Sequence, residues 1–196
     1  MTRSATRDRA ATSWRITRSA LLLTDRHGLD GFTMDDLADA AEVSRRTLFN
    51  YFPGKLDAIL GDWPVFDADA LATFRAGGPH HDLVLDLRTL VTPLFDEKIS
   101  DRELLSCSRR VLLSAPRLHS LAHERYEALS AEIVEHVVVR EGAAFGAAGA
   151  KVAIKLLVAL FDAALDGFIH DADEQPFSHH FDQSLRTARS LLGASS

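Results

Sequence analysis

At 196 residues, with 46% apolar and 26% charged side chains, the chain is long enough to bury a real core, either as one large domain or as a small domain joined to a medium one. Its single cysteine, Cys107, excludes an internal disulfide framework and any multi-cysteine metal site. The net charge of −6 speaks against a protein that coats nucleic acid without specificity, but the charge is unevenly spread: residues 1–55 carry nine Arg/Lys against seven Asp/Glu, and the rest carry 13 against 21.

Residues 1–10 are polar, arginine-rich and without periodicity, which predicts a disordered tail that could reach phosphates or a minor groove as a basic arm. They contain no apolar region of the kind a signal peptide needs. A first helix is expected over residues 11–27, with Ile16, Ala20, Leu23 and His27 on one face, Leu22 beside them, and Gly28 as its C-terminal cap. Thr33 and Asp36 have the spacing of a capping box, opening a second helix whose Leu37, Ala38 and Ala41 face inward. Ala41-Glu42-Val43 reads as a tight turn, and Ser44 as the N-cap of a third helix ending near Tyr51. Pro53 disfavours helical geometry at Phe52 and stops that helix. Leu48, Phe49 and Phe52 are expected inside; Arg45, Arg46, Thr47, Asn50 and Tyr51 are left for the outward face and its edges. Two short helices, a tight turn and a basic outward face make the pattern of a DNA-binding helix-turn-helix.

Lys55 to Arg75 predicts a fourth helix, kinked or broken at Pro64, followed by a Gly77-Gly78-Pro79 linker. Helical spacing continues over 81–98, through Leu83, Leu87, Leu90, Val91 and Leu94, and then over 101–114, with Ser100 and Glu103 as a capping box. A further helix should run from Pro116 to about Arg140, with Leu118, Leu121, Ala122, Leu129, Ile133 and Val137 as its buried stripe. Residues 141–149 read as a Gly/Ala-rich loop. In the helix expected over 150–170, Lys151, Lys155, Asp162 and Asp166 fall on one narrow line and nearly everything else is apolar, so it should be covered on more than one side. Those charges also exclude a membrane span. Phe177, Phe181, Leu185, Ala188 and Leu192 form one stripe on a last helix. Two terminal helices with such faces suit a four-helix interface between two copies of the chain. The expected fold is therefore all-α, with about nine helices: a helix-turn-helix domain over 1–55 and a helical ligand-binding and dimerisation domain over 56–196.

The residues Ala20, Gly28, Thr33-Met34-Asp35-Asp36-Leu37-Ala38, Val43-Ser44, Thr47-Leu48-Phe49 and Tyr51-Phe52-Pro53-Gly54-Lys55 resemble the tetracycline-repressor (TetR) family of transcriptional regulators over about residues 12–60. The run Ser44–Lys55 followed by Ile59-Leu60-Gly61-Asp62 is most similar to the branch with acyl-CoA-type ligand domains, including mycofactocin-system regulators. The chain departs from the family pattern at Glu42, where glycine is frequent; at Thr24, where an aromatic is usual; at Phe49, where tyrosine is common; and at Arg46, often glycine. The resemblance implies a homodimer that binds a palindromic operator in double-stranded DNA, acts as a repressor by default, and is released by a small-molecule effector; the single cysteine and the lack of a signal peptide or membrane span favour the cytoplasm, and no cofactor is expected.

Within the motif, Arg45, Arg46 and Asn50 are the candidates to read base edges, since arginine grips guanine O6/N7 and asparagine adenine N6/N7. Thr33, Thr47, Tyr51 and Lys55 are the candidates to hold phosphates, and Ser44 completes the set at the helix start. Trp63, Phe66, Leu94, Phe95, Cys107, Val111, Tyr126 and Phe161 are candidates to line an effector site, each also readable as plain core. Arg109, Arg110 and Arg117 could meet the anionic part of an acyl-CoA-like effector. The His80-His81 and His179-His180 pairs and the group His170, Asp171 and Asp173 lack ligand spacing, so no metal is expected. The competing function is an all-helical enzyme that binds a small molecule without specific DNA binding. Cys107 lies near His119 and His123 in sequence, but no nucleophile motif surrounds it.

Overall fold

Helices account for every regular element of the computed structural model, which describes residues 2–62, 65–94, 101–171, 173 and 175–193, with side chains described from residue 8 onward and not for Leu94. In chain order these are α1 (Thr2–His27), α2 (Met34–Ala40), α3 (Arg45–Tyr51), α4 (Lys55–Leu60), α5 (Ala68–Arg75), α6 (Leu83–Val91), α7 (Arg102–Ser114), α8 (Pro116–Glu141), α9 (Gly146–His170) and α10 (Phe177–Gly193), with a 3-10 turn at Thr92–Leu94. The expected all-α class holds. Among the described residues the count rises by one because 55–75 forms two helices: Gly61 adopts φ 80°, a left-handed conformation open to glycine, and ends α4 before Pro64 is reached. Trp63, Pro64 and Ser100, to which a kink and a cap were assigned, lie outside the described residues.

The helices fall into two compact units, one made of residues 1–64 with 103–125, the other of 65–102 with 126–196. The long helix α8 thus contributes its first turns to one unit and the remainder to the other.

The first unit is organised around α1. Two expectations for this helix are corrected. Residues 2–10 are helical rather than a disordered tail, consistent with the absence of any Gly or Pro that would stop α1 there. The buried face is also rotated from the expected one: Ser13, Ile16, Thr17, Ala20, Leu21 and Thr24 are buried, while His27 is exposed. Thr24 tolerates burial because its Oγ1 donates 2.7 Å to the carbonyl of Ala20. Against this face pack Phe32, Leu37, Ala38, Ala41, Leu48, Phe52, Ala58 and Ile59, together with Leu104, Cys107 and Val111 of α7, Leu118 of α8, and Ala115 between them. Helix α7 is therefore part of the core that carries the helix-turn-helix. Two polar fastenings reinforce it. Arg110 donates through Nε and Nη2 to both carboxylate oxygens of Asp25, at 3.0 and 2.7 Å, and Arg125 donates to Gly61 O and Asp57 Oδ1, at 2.7 and 2.9 Å.

The second unit has a buried polar centre that the apolar periodicity did not announce. Asp86 on α6 is 1% exposed and pairs with Arg140 of α8 at 2.6 Å. The same guanidinium donates to the carbonyls of Phe74, Gly77 and Gly78, at 2.9 to 3.3 Å, and lies over the Phe74 ring. The expected linker is thus a turn held by its own backbone oxygens. Elsewhere in the unit, Phe161 and Phe168 of α9 meet Phe177 and Phe181 of α10 with ring centres 5.2 to 6.1 Å apart. The four charges predicted to share one line of α9 are all exposed, with Val152 (68% exposed) and Val158 beside them. On α10 the buried stripe is Phe177, His180, Phe181 and Leu185; Leu192, expected within it, is 70% exposed. No helix among the described residues is long and apolar enough to cross a membrane.

Candidate nucleic-acid interface

Helix α2 begins at a complete capping box. Thr33 Oγ1 accepts from the Asp36 backbone N–H at 3.2 Å, and the Thr33 N–H donates to Asp36 Oδ2 at 2.7 Å. Donation from the Thr33 side chain and backbone holds the Asp36 carboxyl below its usual pKa. Leu37 and Ala38 then face the core, and α2 closes on Ala41. The reversal into α3 is made at Glu42, which adopts φ 52°; this explains the frequency of glycine at this place in the resembling family.

Ser44 caps α3 as expected, its Oγ accepting from the Thr47 N–H at 3.0 Å and lying 2.8 Å from Thr47 Oγ1. The cap leaves other N–H groups of the first turn open to an anionic ligand. Phe52 is extended, with φ −134° and ψ 127°, so the helix ends at Tyr51, two residues before Pro53. Leu48 and Phe52 are buried and anchor the helix. Phe49 is not the inward residue it was expected to be: it is 44% exposed and lies under the Arg45 guanidinium, 5.7 Å from the ring centre. With Leu48 and Phe52 as the inward pair, helical spacing turns Phe49 away with Arg45.

The outward surface of α3 therefore carries Arg45, Arg46, Phe49 and Asn50, all exposed, with Thr47 half-buried at its edge. Arg45 also reaches back to Asp35 of α2 at 2.9 Å, an exposed pair that solvent screens. Tyr51 is half-buried against the core of the unit, and Arg9 of α1 stacks over its ring at 4.8 Å. Arg9 was not singled out from the sequence. Its only signal was membership of the N-terminal arginine cluster, and it gained a place only once α1 proved helical that far. Lys55 has a different setting from that of a phosphate ligand on an open surface. Its Nζ donates to the carbonyls of Leu29 and Phe32 at 2.6 and 2.8 Å, tying the start of α4 to the loop before α2 and leaving one N–H.

The residues expected to line an effector site are divided. Cys107 and Val111 are buried in the core of the first unit, and Arg110, in the same unit, is paired with Asp25. Phe66 (buried), Tyr126 and Phe161 (both half-buried) belong to the second unit. Trp63, Phe95 and the side chain of Leu94 lie outside the described residues. Among the described residues no group of three or more His, Cys, Asp or Glu side chains could hold a metal ion.

Residues 16–58 match the family model described as bacterial regulatory proteins, tetR family. The chain is also 30% identical over 142 residues, covering 69% of each chain, to the Mycobacterium tuberculosis protein MftR, whose name assigns it to the transcriptional regulation of mycofactocin biosynthesis. The chain belongs to the TetR family. This TetR-family chain also aligns with the crystal structure of a protein named as a TetR-family transcriptional regulator from Mesorhizobium loti, with 17% identity, a TM-score of 0.48 and coverage of 97% and 98% of the two chains. The matched segment of the TetR-family member runs from Ile16, in α1, to Ala58, in α4, and so contains the whole helix-turn-helix described above. The family is one of transcriptional regulators, and the mycobacterial relative agrees with the branch to which the motif residues pointed.

Proposed function

We propose that this regulator is a ligand-responsive repressor that binds a palindromic operator as a homodimer. One observation carries the reading: Leu48 and Phe52 bolt a Ser44-capped helix to the core so that Arg45, Arg46, Phe49 and Asn50 all face outward. On this reading α3 lies in the major groove, where Arg45, Arg46 and Asn50 meet base edges and the exposed Phe49 meets an apolar feature such as a thymine methyl. Ser44, Thr47 and the open N–H groups at the start of α3 hold phosphate, as do Thr33 at the start of α2 and Tyr51 at the edge of α3. Arg9, stacked on Tyr51, extends the cationic surface. Lys55 contributes mainly by fixing the loop before α2, with its remaining N–H available to a phosphate.

Two copies would place two α3 helices in successive major grooves, with half-sites roughly 34–36 Å apart. The exposed Val152, Val158, Leu191 and Leu192 on α9 and α10 support pairing of those helices across a two-fold axis. The functional division is residues 1–55 for DNA and 56–196 for the effector and the dimer. The effector would be a small hydrophobic or acyl-CoA-like molecule, acting by favouring a conformation with a different spacing of the two α3 helices. Such a protein works in the cytoplasm and needs no catalytic group.

The test is selection of DNA from a random pool by the purified protein, followed by titration of acyl-CoA thioesters against the selected complex. Recovery of a two-fold symmetric site bound with steep salt dependence is the expected result. Failure to enrich any sequence would overturn the reading, and a complex that no chain length releases would retire the acyl-CoA effector.

A further inference from the structure

The second unit contains a polar atom that its own fold leaves without a partner. His136, on α8, is 7% exposed, and its Nε2 is the one fully buried side-chain nitrogen or oxygen among the described residues with no hydrogen-bond partner. The other ring nitrogen settles what kind of atom this is. Nδ1 lies 2.8 Å from Nη2 of Arg75. A guanidinium has donors and no acceptors, so Nδ1 must accept, the imidazole is neutral, and its proton sits on Nε2. Burial, followed by the charge of Arg75, holds the His136 pKa below the ordinary histidine value against the opposing pull of Glu132 and Glu135. The orphan is therefore an N–H donor. An aromatic ring stands against the imidazole. The Phe66 ring stands edge-on to the imidazole, with centres 6.3 Å apart and planes at 83°. Ile133, one turn earlier on α8, and Val137, the next residue, are both buried.

A buried donor without an acceptor bears its whole desolvation penalty, so such groups call for an explanation in a native fold. We infer that His136 is an effector-binding residue, its Nε2–H donating to a carbonyl or carboxylate oxygen on a ligand whose remaining surface is apolar. This rests on the reading of residues 56–196 as the ligand domain, and adds the ligand's chemistry and the atom that recognises it. A cationic ligand fits badly, because both the N–H and the neighbouring Arg75 guanidinium present positive charge.

The experiment uses the full-length protein with 15N-labelled histidine and three probes of equal chain length: decanoate, decanoyl-CoA and decyltrimethylammonium. The unliganded protein should show one buried neutral imidazole protonated at Nε2. Saturation with an oxygen-bearing probe should move that proton downfield, and the ammonium should not. Response to decanoate or to decanoyl-CoA identifies a free acid or a thioester as the source of the oxygen. His136→Phe should remove the signal and lower affinity for the active probe about tenfold, the worth of one hydrogen bond. Its unliganded form should unfold at nearly the same temperature, since deleting the unpaired donor offsets the acceptor lost to the exposed Arg75. His136→Gln, which keeps an N–H donor, should recover part of the affinity and guards against a folding failure of the first variant. An Nε2 proton that contacts only water and ignores all three probes overturns the inference. So does wild-type protein that binds no oxygen-bearing probe, or His136→Phe protein that binds as well as wild type. Operator binding by the unliganded wild type is measured separately, so a loss of the regulator reading is distinguishable from a loss of this one.

Discussion

Lys55 donates from Nζ to the backbone carbonyl of Phe32 at 2.8 Å and lies 4.8 Å from the centre of the same residue's ring. One side chain at the start of α4 thus fixes both the backbone and the ring of a residue at the entrance to α2. Lys55→Met keeps the aliphatic stem and deletes the ammonium, leaving the Leu29 and Phe32 carbonyls without that donor. A loss of about 2 kcal/mol of stability is expected, as for hydrogen bonds to a charged group. Urea denaturation followed by circular dichroism measures it; an unchanged midpoint would show that solvent replaces the ammonium at no cost.

Glu42 holds φ 52° in the turn between α2 and α3, a conformation that costs residues with a Cβ roughly 1 kcal/mol. Glu42→Gly should recover about that amount, whereas Glu42→Ala, which retains the Cβ, should not. Both remove a negative charge close to the proposed DNA surface and should raise operator affinity alike. The pair of variants separates strain from electrostatics by comparing denaturation midpoints with gel-shift affinities.

Arg45 stands between Asp35 and open solvent, with its guanidinium over Phe49. If it reads a base, Arg45→Ala should weaken binding to the selected site by about 1–3 kcal/mol and relax preference at one position of each half-site. A loss of equal size on every sequence would make it a phosphate contact instead. Asp35→Asn should strengthen binding, because it removes the carboxylate that competes with DNA for that arginine.

The Asp86–Arg140 pair is almost fully withdrawn from water, with side chains 0% and 5% exposed. Asp86→Ala leaves the guanidinium buried with the Phe74, Gly77 and Gly78 carbonyls and one carboxylate, Glu141 on Nε at 2.8 Å, and should cost about 3–5 kcal/mol. Loss of less than 1 kcal/mol in the denaturation curve would show that the Phe74, Gly77 and Gly78 carbonyls together with Glu141 satisfy Arg140 without Asp86.

Stability should fall in two stages on acidification. His136, with its folded pKa lowered by burial and Arg75, is neutral in the fold and charges more readily when unfolded, so its contribution is present above about pH 6.5 and declines below it. Asp25, lowered by donation from Arg110, and Asp36, lowered by donation from Thr33, contribute above about pH 3.9 and lose that contribution as pH falls through their folded values. His136→Phe should abolish the first stage and leave the second, as read from melting temperatures across pH 3–8.

The helix-turn-helix was legible because its determinants are local. Thr33, Asp36, Ser44 and Pro53 act on backbone within three residues of themselves, and their types name their tasks. What escaped was set at long range. The face of α1 was misplaced because Leu21 and Leu22 are equivalent in composition, and only the partners packed on them select Leu21 for burial. Phe49 was expected inside because aromatic residues usually gain by burial; here Leu48 and Phe52 already fill that side. Asp86 and Arg140 are 54 positions apart, and neither carries a mark that distinguishes it from a surface charge. His136 sits between the core positions Ile133 and Val137, where the apolar period conceals a polar side chain.

The thiol of Cys107 is 1% exposed, and burial, aided by the Asp25 charge, pushes its pKa up to about 11. At neutral pH almost none of it is thiolate, the form that reacts with peroxides, disulfides and alkylating reagents. The protein's single sulfhydryl is therefore chemically silent while the fold is intact. A cysteine introduced at exposed Asn50 or Leu192 would be the sole reactive handle, so spin or fluorescent labels could report distances between two copies without first removing the native residue.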